Sequence, residues 1–162
     1  MINCLIILAF LAPIEGFRAE AYRDAHGWSI GYGTFGARQG DVVTVAEAQE
    51  MACADIDEAS DLLTQTVAPM WLSRTESVAY VSLIYNIGTG GWLKSAVLRK
   101  LRLGDRHGAV RALGSWTRSG GEVLPVLIAR RRTEARYGTG CYVPLGRCRS
   151  VSYAIASIGG AP

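Results

Sequence analysis

EGFRAEAYRDAHGWSIGYGT, residues 15–34, is the stretch from which the rest of the chain is read. Two carboxylates, Glu15 and Asp24, flank a segment carrying arginine and tyrosine. A glycine-rich piece follows, Gly27-Trp28-Ser29-Ile30-Gly31-Tyr32-Gly33. Asp24-Ala25-His26-Gly27 reads as a turn, because Asp and Gly supply turn geometry. Trp28 to Tyr32 mixes aromatic and β-branched residues and suits a strand. Gly31 and Gly33 let the backbone come close to a ligand or another strand. The spacing predicts a small antiparallel sheet over about residues 18–43, with TFGARQGD (34–41) as a loop.

Upstream, MINCLIILAFLAP (1–13) is apolar. It is short of the ~20 residues a membrane-spanning helix needs, and it lacks a basic leader and a small-residue cleavage site. The reading is a buried first helix over Asn3 to Leu11; a membrane-interacting export segment is the alternative and is not favoured. Pro13 disfavours helical geometry at Ala12, so the helix should end or bend just before Glu15, placing that carboxyl at an element boundary.

Downstream the signals are helical. Thr44-Val45-Ala46-Glu47 fits a capping box opening a helix over about 45–66, and Ser73-Arg74-Thr75-Glu76 fits a second. The segment behind it, SVAYVSLIYNIG, is apolar almost all round and marks a central buried helix, with Gly88-Thr89-Gly90-Gly91 as its stop. Further helices are expected over 95–103 and 105–113, a turn over 115–121, and a last helix over 125–137 with Pro125 in its first turn. Residues 138–162 change in composition and are expected to form a loosely packed tail.

The chain has 162 residues, 49% of them hydrophobic and 19% charged, which suits one globular unit and excludes a disordered chain. The net charge of +3 favours polyanionic partners without choosing among them. Cys4, Cys53, Cys141 and Cys148 lack zinc-ribbon spacing, and His26 and His107 are isolated, so neither a metal nor a cofactor is expected. Free, mostly buried thiols are the first reading of the cysteines. A Cys141–Cys148 bridge is the second, and spacing alone fixes no pairing.

An acid, a second acid on a turn and a hydroxyl on a strand could cleave a glycosidic bond. That reaction needs a proton for the leaving oxygen and stabilisation of an oxocarbenium-like centre. Glu15 is the candidate acid, its alternative being a helix-end residue or the partner of an arginine in Arg130-Arg131-Arg132. Asp24 is the candidate base, a role compatible with capping its turn. Ser29 could hold the same water, or be an ordinary strand serine. Phe35 and Trp92 are candidate sugar-stacking rings, although an aromatic is more often core. Trp116 reads as core, Asn86 as an internal hydrogen-bonding group, and the arginine run as a solvated face in which one member could brace Glu15.

The order of these motifs resembles the phage-type lysozymes, the endolysin-like muramidases of glycoside hydrolase family 24. That family opens with a glutamate-glycine pair, an aspartate nine residues on and a threonine-isoleucine-glycine strand. Here these are Glu15-Gly16, Asp24 and Ser29-Ile30-Gly31. AYVSLIYNIGTGGW (79–92), the VLRKLRLGD that follows it, and SWTRSGGEVLPVLIARRRTEA (115–135) match later blocks. Ser29 departs from the pattern: the family carries threonine six residues after the aspartate, and Ser29 is five after Asp24. Thr34 stands where a histidine often follows the Gly-x-Gly.

The resemblance implies an α+β, mainly helical lysozyme-like fold, with a small sheet lobe (15–43) and a helical lobe (67–137) joined by a long helix. The catalytic domain would cover 1–137, ahead of the 138–162 tail. It also implies an inverting muramidase using Glu15, Asp24 and Ser29 on the β-1,4 bond between N-acetylmuramic acid and N-acetylglucosamine. Such an enzyme is expected to be a monomer with peptidoglycan as partner and no nucleic acid. It would be made in the host cytoplasm and act on the wall during lysis. The alternatives are a non-catalytic peptidoglycan-binding or virion structural module, a lytic transglycosylase, and a membrane-perturbing basic protein.

Overall fold

The first helix, α1 (Cys4–Glu15), starts where the Asn3 side chain accepts a hydrogen bond from the Leu5 amide at 2.9 Å. In the computed structural model, residues 3–24 and 27–140 are described. Pro13 does not end α1; it lies inside it, and Glu15 is the last helical residue. A proline there takes its own N–H out of the ladder and crowds the Ala9 carbonyl one turn back, and the helix closes three residues later. Gly16, at φ 72°, then returns its amide to the Ala12 carbonyl and closes the helix. The apolar face of α1 buries Ile7, Leu8 and Leu11. No helix among the described residues is long and apolar enough to cross a membrane.

The chain divides into two compact units, residues 1–61 and 62–162. In the first, β1 (Arg18–Arg23), β2 (Trp28–Gly31) and β3 (Thr34–Phe35) form an antiparallel sheet in the order β1-β2-β3. Tyr22 pairs with Ser29 and Arg23 with Trp28, and a bulge separates Tyr22 from the Arg18–Gly31 pair. The free edge of β1 is met by residues 41–43: the Ala21 amide donates to the Asp41 carbonyl, and the Val43 amide to that of Ala19, each at 2.9 Å. This is the sheet expected over 18–43. Gly31 has φ +65°, and a β-carbon there would lie 2.8 Å from that of Ala48. Glycine at this position therefore lets the sheet sit directly on the next helix.

That helix, α2 (Val45–Val67), opens with a capping box. The Thr44 amide donates to Glu47 Oε2 at 2.8 Å, and the Glu47 amide to Thr44 Oγ1 at 3.2 Å. Those hydrogen bonds from Thr44 hold the Glu47 carboxyl below its ordinary value. Cys53 in α2 is disulfide-bonded to Cys4 in α1, with Cα atoms 5.3 Å apart, within the normal range for a bridge. This corrects the reading of both residues as free thiols. Their separation of 49 residues leaves no local signal, because only the folded first unit brings α1 and α2 together at that point. Cys141 and Cys148 lie outside the described residues.

In the second unit, α3 (Arg74–Lys94) starts at a complete Ser73–Glu76 capping box. Residues Val78 to Ile84 are all buried, as an all-round apolar helix requires. Each fully buried Leu, Ile or Val there contributes about 1.5–3 kcal/mol of transfer free energy. Gly88 does not stop α3 as expected. It kinks it, at φ 70° and ψ 172°, and the helix resumes to Lys94.

Two short helices follow, α4 (Ala96–Arg102) and α5 (Arg106–Ala112). Ser95 and Asp105 cap them, accepting from the amides of Leu98 at 3.0 Å and Gly108 at 2.7 Å. After a 3-10 turn (Leu113–Trp116), the segment read as a plain turn contains a small hairpin, β4 (Arg118–Ser119) with β5 (Glu122–Val123). Gly120 and Gly121 both have positive φ and make its tight turn. The last helix, α6 (Pro125–Gly138), has Pro125 in its first turn and packs along α3. The fold is α+β and mainly helical.

Candidate active site

Glu15, Asp24 and Ser29 all belong to the first unit. Glu15 ends α1 and is half-buried. Asp24 follows β1 and is exposed at the turn into β2. The turn is closed by its own hydrogen bonds: the Asp24 amide donates to the Gly27 carbonyl at 2.8 Å, and the Gly27 amide to Asp24 Oδ1 at 3.1 Å. One carboxylate oxygen is thereby fixed. The other, Oδ2, accepts from Ser29 Oγ at 2.7 Å. Ser29 is 2% exposed, on the second residue of β2. The loop of this chain thus brings the hydroxyl to the aspartate although Ser29 stands only five residues after it.

Sequence reasoning missed Tyr22. It pairs with Ser29 across the sheet, which sets the two side chains on one face. Burial pushes the Tyr22 phenol up from its ordinary value; the Arg18 guanidinium opposes this, and the charges of Glu15 and Asp24 add to it. Arg18 lies 4.3 Å from the centre of the Tyr22 ring. A β-carbon on Gly33 would come within 3.6 Å of Glu15 Oε2 and 3.9 Å of the Tyr22 hydroxyl. One phenol therefore stands among the residues of interest, beside a floor kept low by glycine. Its signal in the sequence was position: a tyrosine two residues before Asp24, in the strand facing the hydroxyl. Thr34 is the departure from the family pattern in the same loop. It donates from Oγ1 to Asp55 Oδ2 at 2.8 Å and so ties the end of the sheet to α2.

The two candidate sugar-stacking rings separate. Phe35 is exposed on β3, with its edge against Gly27. Trp92 is fully buried in the second unit. Its indole donates to Thr66 Oγ1 at 2.9 Å, and its ring tilts against Tyr80 at 6.4 Å. Trp92 is corrected from a substrate contact to core, because no face of its ring is open to a sugar.

The arginine run is corrected as well. Only Arg132 is exposed, whereas Arg130 and Arg131 are buried in the second unit. Both form ion pairs with the buried Glu134, at 3.2 and 3.0 Å, and Ser82 Oγ donates to the same carboxylate at 2.7 Å. Asn86 accepts from Arg131 at 2.9 Å, the internal role expected of it. Burial pushes the Glu134 carboxyl up, against the pull of the two guanidiniums. The helical spacing of 130, 131 and 134 puts these groups on the face of α6 turned to α3.

Residues 12–134 match the family model described as phage lysozyme. Among curated relatives, the endolysin of Acyrthosiphon pisum secondary endosymbiont phage 1 is 36% identical over 134 residues, covering 78% of this chain and 90% of its own. Two solved structures are similar. The muramidase domain of SpmX from Asticaccaulis excentricus has a TM-score of 0.74 at 30% identity, covering 86% of this chain and 96% of its own. The endolysin of Escherichia coli O157:H7 phage FAHEc1 has a TM-score of 0.77 at 26% identity, covering 90% and 98%. The chain belongs to the phage lysozyme family, the glycoside hydrolases with which phages cleave bacterial peptidoglycan.

Proposed function

We propose that the chain hydrolyses the β-1,4 bond between N-acetylmuramic acid and N-acetylglucosamine with Glu15 as acid and the Asp24–Ser29 pair as the holder of water. The Glu15 carboxyl gives its proton to the glycosidic oxygen as the bond from that oxygen to the anomeric carbon breaks. A water then attacks the carbon from the opposite face, and its proton passes to Asp24. The sugar leaves with inverted configuration, and solvent exchange returns both carboxyls to their starting states. Tyr22 lies where its phenol can hold the reacting groups or a sugar hydroxyl, and Phe35 offers an exposed ring to an apolar sugar face.

The observation that carries this reading is the 2.7 Å hydrogen bond from Ser29 to Asp24. It orients the aspartate together with the Gly27 amide, one donor on each carboxylate oxygen. A lytic transglycosylase needs no such water-holding aspartate, so the pair favours hydrolysis. The net charge of +3 suits an anionic wall polymer. The enzyme acts as a monomer on the wall of the host in which it is made. Product analysis on purified peptidoglycan tests the reading. Hydrolysis yields reducing N-acetylmuramic acid ends, first as the α-anomer. Anhydro-muramyl ends would replace it by transglycosylation, and binding without new ends by a wall-binding module.

A further inference from the structure

Between α2 and α3 the chain runs through Ala68-Pro69-Met70-Trp71, and Trp71 is left 77% exposed. A large aromatic in that position is not a slack loop residue here. Arg106 of α5 donates to the Trp71 carbonyl and, through its other nitrogen, to both oxygens of Glu76 at 2.7 and 2.6 Å. Arg102 of α4 donates from Nε to the Thr66 carbonyl at 3.0 Å. Both ends of the 66–71 segment are thus clasped by arginines that stand on either side of a second exposed apolar residue, Leu103, at 74%. Arg99, one turn before Arg102 on α4, is exposed too.

Around these two tips stand Arg99, Lys100, Arg102 and Arg106 with two acids, Glu76 paired to Arg106 and Asp105 to Lys100, a net of +2. Two apolar tips among cations are too small for a stable protein interface, which buries about 800 Å² per partner. A soluble polyanion would use the arginines and leave Leu103 without a purpose. An anionic bilayer surface uses both, since tryptophan rings settle at the headgroup level and each nearby Arg gains attraction from acidic lipid. We propose that the face formed by Trp71, Leu103, Arg99, Arg102 and Arg106 adsorbs the enzyme to the surface of a bilayer rich in anionic phospholipid.

The test uses the full chain and vesicles of phosphatidylcholine with or without 30% phosphatidylglycerol, read by co-sedimentation and by quenching of tryptophan fluorescence with brominated lipid. Wild type is expected to bind the anionic vesicles, to leave them at 0.5 M salt, and to ignore the neutral ones. Trp71→Ser with Leu103→Ser should weaken binding at least tenfold and abolish the quenching. Arg99→Gln should weaken it about fivefold, the effect of one interfacial arginine. Hydrolysis of soluble peptidoglycan fragments and the circular dichroism spectrum should stay unchanged in both variants, which shows that they are folded. Three results would each overturn the proposal. The first is no binding of wild type to anionic vesicles. The second is binding that the substitutions leave intact, as adsorption through residues 1–13 would give. The third is a dimer in sedimentation velocity that the Trp71 and Leu103 substitutions dissolve.

Discussion

Replacing Ser29 with alanine removes one hydrogen bond and almost nothing else. The hydroxyl donates to a carboxylate, and a hydrogen bond to a charged group is worth about 1.5–3 kcal/mol. The stability part of that loss is small. Asp24 is exposed, so water replaces the hydroxyl, and the Gly27 amide still holds the other oxygen at 3.1 Å. The change in unfolding free energy should stay below about 1 kcal/mol, or ~2–4 °C in melting temperature for a chain of this size. The catalytic part is larger, because the transition state needs Asp24 aimed at one water. At about 1.4 kcal/mol per factor of ten, kcat should fall roughly ten- to a hundredfold. Initial rates of reducing-end release from purified peptidoglycan, beside thermal melts followed by circular dichroism, measure the two parts separately. A Ser29→Ala enzyme with unchanged kcat would refute the water-holding role of the pair, and one that melts far lower would show Ser29 to be structural.

Three further outcomes follow from other parts of the fold. Burial raises the Asp55 carboxyl above its ordinary value of 3.8, against the hydrogen bond from Thr34. The folded protein therefore holds this proton more tightly than the unfolded chain does. Asp55 disfavours folding at pH 7, and the penalty fades as pH falls through its folded value toward 3.8. Asp55→Asn, whose amide oxygen still accepts from Thr34, should raise the melting temperature at pH 7 and narrow its gain over wild type as the pH is lowered. The Cys4–Cys53 bridge closes a loop across 49 residues, worth about 4 kcal/mol on the chain-entropy scale. Cys4→Ser with Cys53→Ser should lower the midpoint of urea unfolding accordingly, and reductant should have no further effect on that bond's contribution. The Tyr80 hydroxyl is buried with no hydrogen-bond partner among the described residues. Tyr80→Phe should leave stability unchanged or raise it, by up to about 1–3 kcal/mol in the same unfolding assay.

The local signals were legible in the residues themselves. Thr44–Glu47 and Ser73–Glu76 each carry a capping box whose two hydrogen bonds are formed, and the apolar run 78–84 is buried on every side. Glu15 and Asp24 were legible as candidates because motif spacing singles them out, and Ser29 as the hydroxyl on the strand that follows, although one residue early. What escaped reading depends on distant contacts. Cys4 meets Cys53 only once α1 and α2 have packed. Trp92 looks like a sugar platform until Thr66 and Tyr80 enclose it, and Arg130 and Arg131 look solvated until Glu134 is seen between them and Ser82. Pro13 marked the end of α1 to within a few residues: the helix runs through it to Glu15, Gly16 finishes it, and Glu15 stands at the element boundary expected for it. Tyr22 needed the β1–β2 register, which a bulge shifts and no periodicity announces.

The most direct test of the account is the release of reducing ends from purified peptidoglycan by wild type and by Glu15→Gln at matched concentration, with both shown folded by circular dichroism. The amide keeps the shape of the side chain and has no acidic proton to give. Wild type should release reducing N-acetylmuramic acid without anhydro-muramyl ends, and the variant should be slower by about a hundred- to ten-thousandfold, the span of a general-acid contribution. Equal rates in the two proteins would contradict the assignment of Glu15 as the proton donor.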